Sequence, residues 1–139
     1  MTAQSRHGSS PSVVCMTDDR RRQLGAAGEQ LAADHLVHRG FQILERNFRT
    51  RWGELDVIAT DGQTIVFCEV KTRVASSSKR DPLESVHQRK RMQVRRMASQ
   101  WLRERANRPR AADLRFDAIG ITLKPNGQLV RLDHLEGAF

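Results

Sequence analysis

Four residues within GELDVIATDGQTIVFCEVK (53–71) have types and spacing that could do chemistry: Glu54, Asp56, Glu69 and Lys71. Asp61-Gly62 separates two runs of β-favouring residues, a strong signal for a two-residue hairpin turn. With those two residues at the centre, Thr60 pairs with Gln63, Ile58 faces Ile65, Asp56 faces Phe67, Glu54 faces Glu69 and Trp52 faces Lys71. Side chains alternate with period two, so the three acids and Lys71 are expected on one side of the hairpin. At about 5 Å and an effective dielectric near 20, each carboxylate pair repels by roughly 3 kcal/mol. Such a group needs protons, a neighbouring amine or a divalent cation, and Mg²⁺ or Mn²⁺ suits an all-oxygen donor set. A solvent-facing hairpin pairing its acids with Lys71, Arg49, Arg51 or Arg73 is the plainer alternative. Against it, the opposite face (Leu55, Val57, Val66, Cys68, Val70) is also apolar, which argues that both sides are covered.

The elements that must hold this hairpin can be read on either side. Residues 1–16 are rich in Ser, Gly and Pro without periodicity and are expected to be a disordered tail ahead of a single domain over 17–139. A helix is expected from Thr17 or Asp18, with Leu24, Ala27, Leu31 and His35 on one side and Gly40 just past its end. Phe41 to Phe48 reads as a strand. Ser76 to Arg80 reads as a loop, and Asp81-Pro82-Leu83-Glu84 as the cap of a second helix over roughly 82–106. DLRFDAIGITL and QLVRLDHL then form two more strands about Pro125-Asn126-Gly127. A hairpin combined with helical crossings implies an α/β fold: a mixed central β-sheet flanked by helices.

The chain has 139 residues and a formal charge of +8, with 24 Lys or Arg against 16 acids, which favours polyanionic partners, nucleic acid first. Residues 71–110 hold 13 of the basic residues and only 3 acids, so the whole excess lies in one segment. Within the second helix Leu83, Val86, Val94, Met97 and Trp101 form a 3.6-period stripe, and Lys90 falls in its middle. That lysine either snorkels to solvent or turns toward the acids or a bound phosphate. Arg73, Arg89, Arg91, Arg95, Arg96 and Arg103 are candidate phosphate contacts beside it. Seven aromatic residues, none of them Tyr and only Trp101 in the basic segment, speak against a base-stacking single-strand platform.

Other classes find little support. There is no apolar run of membrane-span length and no secretory h-region, so a cytoplasmic protein without membrane partners is expected. Cys15 and Cys68 form no CxxC and suggest free thiols. His35 and His38 lack the further ligands of a zinc site, and no phosphate-binding glycine loop occurs. Arg115 and Asp117 share a strand face, as support for the site or as an ordinary ion pair.

Glu69-Val70-Lys71 after a strand, with Asp56 thirteen positions earlier, resembles the PD-(D/E)XK nuclease core, with Leu55 where the motif's name has proline. More specifically, GAAGEQLAADHLVHRGFQILERNFR, GELDVIATDG, FCEVKTR, RFDAIG and HLEGAF resemble the YraN-like uncharacterised bacterial family over nearly all of 22–139. That family is considered related to restriction endonucleases and archaeal Holliday junction resolvases. The resemblance implies a restriction-endonuclease-like αβββαβ core. It also implies metal ligation by Asp56, Glu69 and the Val70 carbonyl, with Glu54 as a further candidate. Lys71 is expected to position the attacking water, and Glu29 resembles the extra acid of resolvase-like members.

The leading expectation is a metal-dependent endonuclease hydrolysing phosphodiester bonds in DNA, including branched or structured DNA. The alternative is a non-catalytic nucleic-acid-binding or repair-accessory protein with a vestigial nuclease site, and a third is a protein-interaction factor using the basic helix. Cutting two strands needs two sites, which leaves a homodimer open, although the sequence shows no interface signature.

Overall fold

The computed structural model describes residues 2–75 and 88–139, with side chains within 18–75 and 90–139. Helix α1 (Thr2–His38) is followed by strands β1 (Gln42–Thr50), β2 (Gly53–Thr60) and β3 (Thr64–Val74). Helix α2 (Gln88–Glu104) leads to β4 (Asp113–Leu123) and β5 (Leu129–Leu135). The expected loop at 76–80, the cap at 81–84 and the stripe positions Leu83 and Val86 lie outside the described residues.

One mixed sheet carries the strands in the order β1-β2-β3-β4-β5. β1, β2 and β3 are antiparallel neighbours, β3 and β4 run parallel through the α2 crossover, and β5 returns antiparallel to β4. The chain is an α/β protein with the restriction-endonuclease-like core. Leu24, Ala32 and Leu36 of α1 pack with Val57, Ala59, Val66, Cys68, Ile119 and Ile121 on one face. Val94, Met97, Ala98 and Trp101 of α2 pack with Phe48, Leu55, Ile58, Ile65 and Phe67 on the other. Both faces of β2 and β3 are thus covered, which explains their near-continuous apolar run. No helix among the described residues is long and apolar enough to cross a membrane.

Two local expectations are corrected. The helical backbone begins at Thr2, upstream of the expected start at Thr17 or Asp18.

The hairpin register is also two residues longer than a two-residue turn gives. Thr60 pairs with Ile65, Ala59 with Val66, Ile58 with Phe67 and Val57 with Cys68. Side chains set that loop. Asp61 Oδ1 accepts the N–H groups of Gln63 (2.9 Å) and Thr64 (2.8 Å), and Thr60 Oγ1 accepts from Gly62 N–H (3.1 Å) and donates to the Thr64 carbonyl (2.8 Å). An Asx turn at Asp61 thereby sets a four-residue loop, 61–64, between the paired Thr60 and Ile65. Because the slip is even, it leaves each strand's alternation of faces unchanged.

Candidate metal centre

The site forms where β2 and β3 part. Their ladder runs from Thr60↔Ile65 to Val57↔Cys68. Beyond it the Asp56 carboxylate enters between the strands, and Oδ2 accepts the Val70 N–H at 2.7 Å. At Asp56 the alternation of β2 breaks: Val57 joins the α1-side core, whereas Leu55 joins the α2-side core together with Ile58. β1 switches faces at the same level. Arg46 reaches Gln30 of α1 (2.8 Å), Phe48 packs in the α2-side core, and Asn47 between them has φ +56°. Asn tolerates the left-handed region better than most non-glycine residues.

This double switch sends Glu54 toward α1, where it meets Glu29. Glu29, Glu54 and Asp56 offer carboxylate oxygens that all lie within 4.8 Å of one another. With its nitrogen turned inward, the Asn47 amide donates to Glu54 Oε1 at 2.8 Å and to Glu29 Oε1 at 2.7 Å. Arg49 Nε donates to Glu54 Oε2 at 3.2 Å. Glu29 reaches the cluster because α1 lies close on β3 at Gly28: a Cβ there would stand 2.9 Å from Cβ and Cγ2 of Thr72. The helix could not sit so close with any larger residue.

Crowded charge shows in the protonation equilibria. Burial, opposed by the Val70 N–H and reinforced by Glu69, Glu29 and Glu54, pushes the Asp56 carboxyl up to about 7. Burial and then Glu54 also raise Glu29, while Arg46 pulls it back.

Glu69 does not join the three converging acids, contrary to the single-face expectation. It follows Phe67 onto the α2 side, is 6% exposed, and its Oε1 pairs with Lys90 Nζ at 2.9 Å and Lys71 Nζ at 3.4 Å. Its other oxygen, Oε2, is buried and finds no hydrogen-bond partner. A buried carboxylate oxygen without a donor is costly, and a cation is one of the few groups that satisfies it. Val70 meets the cluster through its N–H. All donors are oxygens, which fits a hard cation such as Mg²⁺ or Mn²⁺ and not a thiolate zinc site.

The basic residues separate into two groups. Lys90 turns to Glu69 instead of snorkelling to solvent. Arg95 is structural in part: it donates to the Phe139 carbonyl at 2.9 Å and lies over the Phe116 ring. Arg91, Arg96 and Arg103 are exposed, while Arg73 is half-buried on β3 beside Thr122 of β4. The side chain of Arg89 lies outside those described. Trp52, Arg95, Arg96, Ser99 and Arg103 line an open hollow of about 220 Å³, with the Arg51 guanidinium 4.6 Å from the Trp52 ring centre.

Arg115 and Asp117 belong to a different construction. Asp117 is fully buried and accepts from Arg115 (2.9 Å), His134 Nε2 (2.7 Å) and Gly137 N–H (3.0 Å), and His134 Nδ1 contacts His35 Nε2 at 2.9 Å. Burial works to raise its carboxyl, but these donors outweigh it and hold Asp117 below the usual range. The network ties β5 to α1 through His35 and His134.

Asn47 and Trp52 are the site residues that sequence reasoning missed. An Asn between a strand's apolar positions was the available signal for the first. The second lay outside the basic segment that drew attention.

An αβββαβ core with acids where its central strands part defines the class, a restriction-endonuclease-like protein with a candidate acidic metal centre. Comparison with known proteins places it further. The profile of the uncharacterised protein family UPF0102 matches residues 28–121, and the chain belongs to that family. A UPF0102 protein of Frankia casuarinae is 44% identical over 117 residues, covering 84% of this chain and 95% of its own. One from Alkaliphilus oremlandii is 42% identical over 118 residues (85% and 98%), and one from Mycobacterium tuberculosis 45% over 121 residues (84% and 92%). This agrees with the YraN-like resemblance.

Proposed function

We propose that this chain is a divalent-cation-dependent endonuclease acting on DNA in the cytoplasm, with residues 17–139 as its working domain. The observation that carries the reading is the convergence of Glu29, Glu54 and Asp56 within 4.8 Å, beside a buried Glu69 whose Oε2 has no partner. Phosphodiester hydrolysis needs an activated water and compensation of charge on the phosphoryl oxygens. Asp56, Glu54 and Glu29 would hold Mg²⁺ or Mn²⁺, and the unpartnered Glu69 Oε2 is a further oxygen donor on the α2 side. When bound, the cation supplies Lewis-acid stabilisation of phosphoryl charge.

The chain's own groups supply the rest. Asn47 fixes the spacing of Glu29 and Glu54 by donating to both. Lys71, 41% exposed and anchored by Glu69, presents an ammonium that can hold a water or stabilise negative charge as it develops. Arg91, Arg96 and Arg103 can neutralise backbone phosphates, and Arg73 extends the same basic side. The open Trp52 hollow suits a phosphate or sugar contact better than an enclosed base pocket.

One observation favours the non-catalytic alternative: two lysines share Glu69 Oε1, so Glu69 is already neutralised within the chain. A panel of linear, nicked, flapped and four-way DNA with Mg²⁺ or Mn²⁺ separates the two. Cleavage lost in Glu69→Ala and Lys71→Ala, with DNA binding retained, supports the enzyme. Binding of every form without cleavage supports the accessory protein.

A further inference from the structure

We propose that Lys90 is an exchangeable counter-ion that couples the metal centre to DNA: Glu69 holds its ammonium while the centre is free of cation, and cation loading releases it to a backbone phosphate. This role rests on the nuclease reading and concerns how its two ligands, cation and DNA, recruit each other.

Glu69 faces more positive charge than it needs. Its Oε1 meets Lys90 Nζ at 2.9 Å and Lys71 Nζ at 3.4 Å, while Oε2 is buried without a partner. With two ammonium groups on one carboxylate, either can leave without orphaning it. Lys71 is fixed by its place on the same strand, β3. Lys90 comes from the first turn of α2, and its side chain is one-third exposed. Val94, Met97 and Trp101 anchor that helix in the core, so exchange requires only rotation of the flexible four-carbon stem of Lys90. Exposed Arg91 follows it directly, which places the released ammonium beside the first of the α2 phosphate contacts.

Cation loading shifts the balance against Lys90. Asp56 Oδ2 accepts the N–H of Val70, the residue after Glu69. Glu69 is also among the charges that raise the Asp56 carboxyl, so the two acids share one electrostatic field. A divalent cation at Glu29, Glu54 and Asp56 repels both ammonium groups and competes for the free Oε2 of Glu69. Solvent and salt screen this little, because Glu69 is buried. Lys71 then suffices as counter-ion, and a phosphate offers Lys90 a charge-assisted hydrogen bond in place of Glu69. By linkage the effect is reciprocal, and bound DNA tightens cation binding by the same factor.

The test is fluorescence anisotropy with a phosphorothioate duplex, which keeps the backbone charge and resists hydrolysis, across a salt series at pH 8 in chelator or in Mn²⁺. Circular dichroism confirms the fold of each variant. Relative to its effect on Lys90→Met, which cancels the competition of Mn²⁺ for DNA phosphates, Mn²⁺ should raise wild-type affinity about fivefold or more. The wild-type slope of log affinity against log salt should steepen by about 1, one added phosphate contact. Arg91→Ala should lower the slope equally with and without Mn²⁺. Glu69→Gln should bind DNA in chelator as tightly as the loaded wild type, and adding Lys90→Met should abolish that gain. Calorimetric titration with Mn²⁺ alone separates the two levels of the account: no Mn²⁺ binding would overturn the metal centre and this coupling with it. Mn²⁺ bound while wild-type DNA affinity and slope respond no more than those of Lys90→Met, or a Glu69→Gln gain that survives Lys90→Met, would leave the centre standing and overturn the exchange.

Discussion

The Asp56 carboxylate occupies the position of a ladder bond: its Oδ2 takes the Val70 N–H at 2.7 Å where β2 and β3 separate. That substitution holds the strands open, buries the carboxyl, and brings it to Glu29 and Glu54. Its raised affinity for a proton has a thermodynamic consequence. Because the folded pKa of about 7 exceeds the unfolded value of 3.8, the folded state binds the proton more tightly. Its contribution is fully present below pH 4 and is lost as pH rises through 7. Without divalent cations, stability should fall over that window by about 2–4 kcal/mol. Asp56→Asn retains an acceptor for Val70 and should remove most of this slope. Urea unfolding at pH 5 and pH 8 in chelator measures it, and an Asn variant with an undiminished slope would assign the effect elsewhere.

Gly28 is required by the approach of α1 to β3. Gly28→Ala forces a methyl onto Thr72, which stands on the packed strand, and should cost about 1–3 kcal/mol. Since Glu29 is the next residue, cation binding should weaken along with stability, and Thr72→Ala in the same chain should recover part of both. Thermal unfolding with and without Mn²⁺ checks the pair.

Lys90 neutralises a carboxylate that is otherwise buried. Lys90→Met should destabilise the protein by about 1–3 kcal/mol, reduced from a fully buried pair because Lys90 is a third exposed. Adding Glu69→Gln should restore much of that loss by removing a buried charge then left to Lys71 alone. A double variant no better than Lys90→Met would show that Lys90 acts through packing of its stem.

Much of this architecture was legible. DLRFDAIGITL reads as a strand and Asp113–Leu123 is the strand observed, and Gly40 marks the end of α1 with φ +91°. The hairpin loop was misread because Asp-Gly is a turn signal in itself, whereas its length is set by where the Asp61 carboxylate finds N–H donors. The slip of two left the alternation intact, which is why Glu69 and Lys71 still share a face. The change of face at Asn47 and Asp56 has no periodic signature. It depends on one positive φ and on a side chain entering a ladder, and it turned an expected four-member row into three acids facing α1 with Glu69 on the side of α2. His134 was likewise invisible as a partner of Asp117, since their contact spans two strands and depends on the fold being assembled.

The exposed arginines of α2 predict salt dependence. If four to six phosphates are neutralised, log affinity for duplex DNA should fall with log salt with a slope of about −4 to −5. Arg91→Ala, Arg96→Ala and Arg103→Ala should each reduce that slope by about 1. Arg95→Ala should instead lower stability, because it releases the Phe139 carbonyl and the Phe116 ring. Fluorescence anisotropy across a salt series reads the slopes, and slopes unchanged by these substitutions would remove the segment from DNA contact.

Calorimetric titration of the chain with Mn²⁺ at pH 8 tests the centre itself. One site should be seen, weakened about tenfold or more by Asp56→Asn or Glu54→Gln, in keeping with loss of a charged ligand from a small set. Mn²⁺ binding that is absent, or that survives both substitutions together at full strength, would contradict a cation held by Glu29, Glu54 and Asp56.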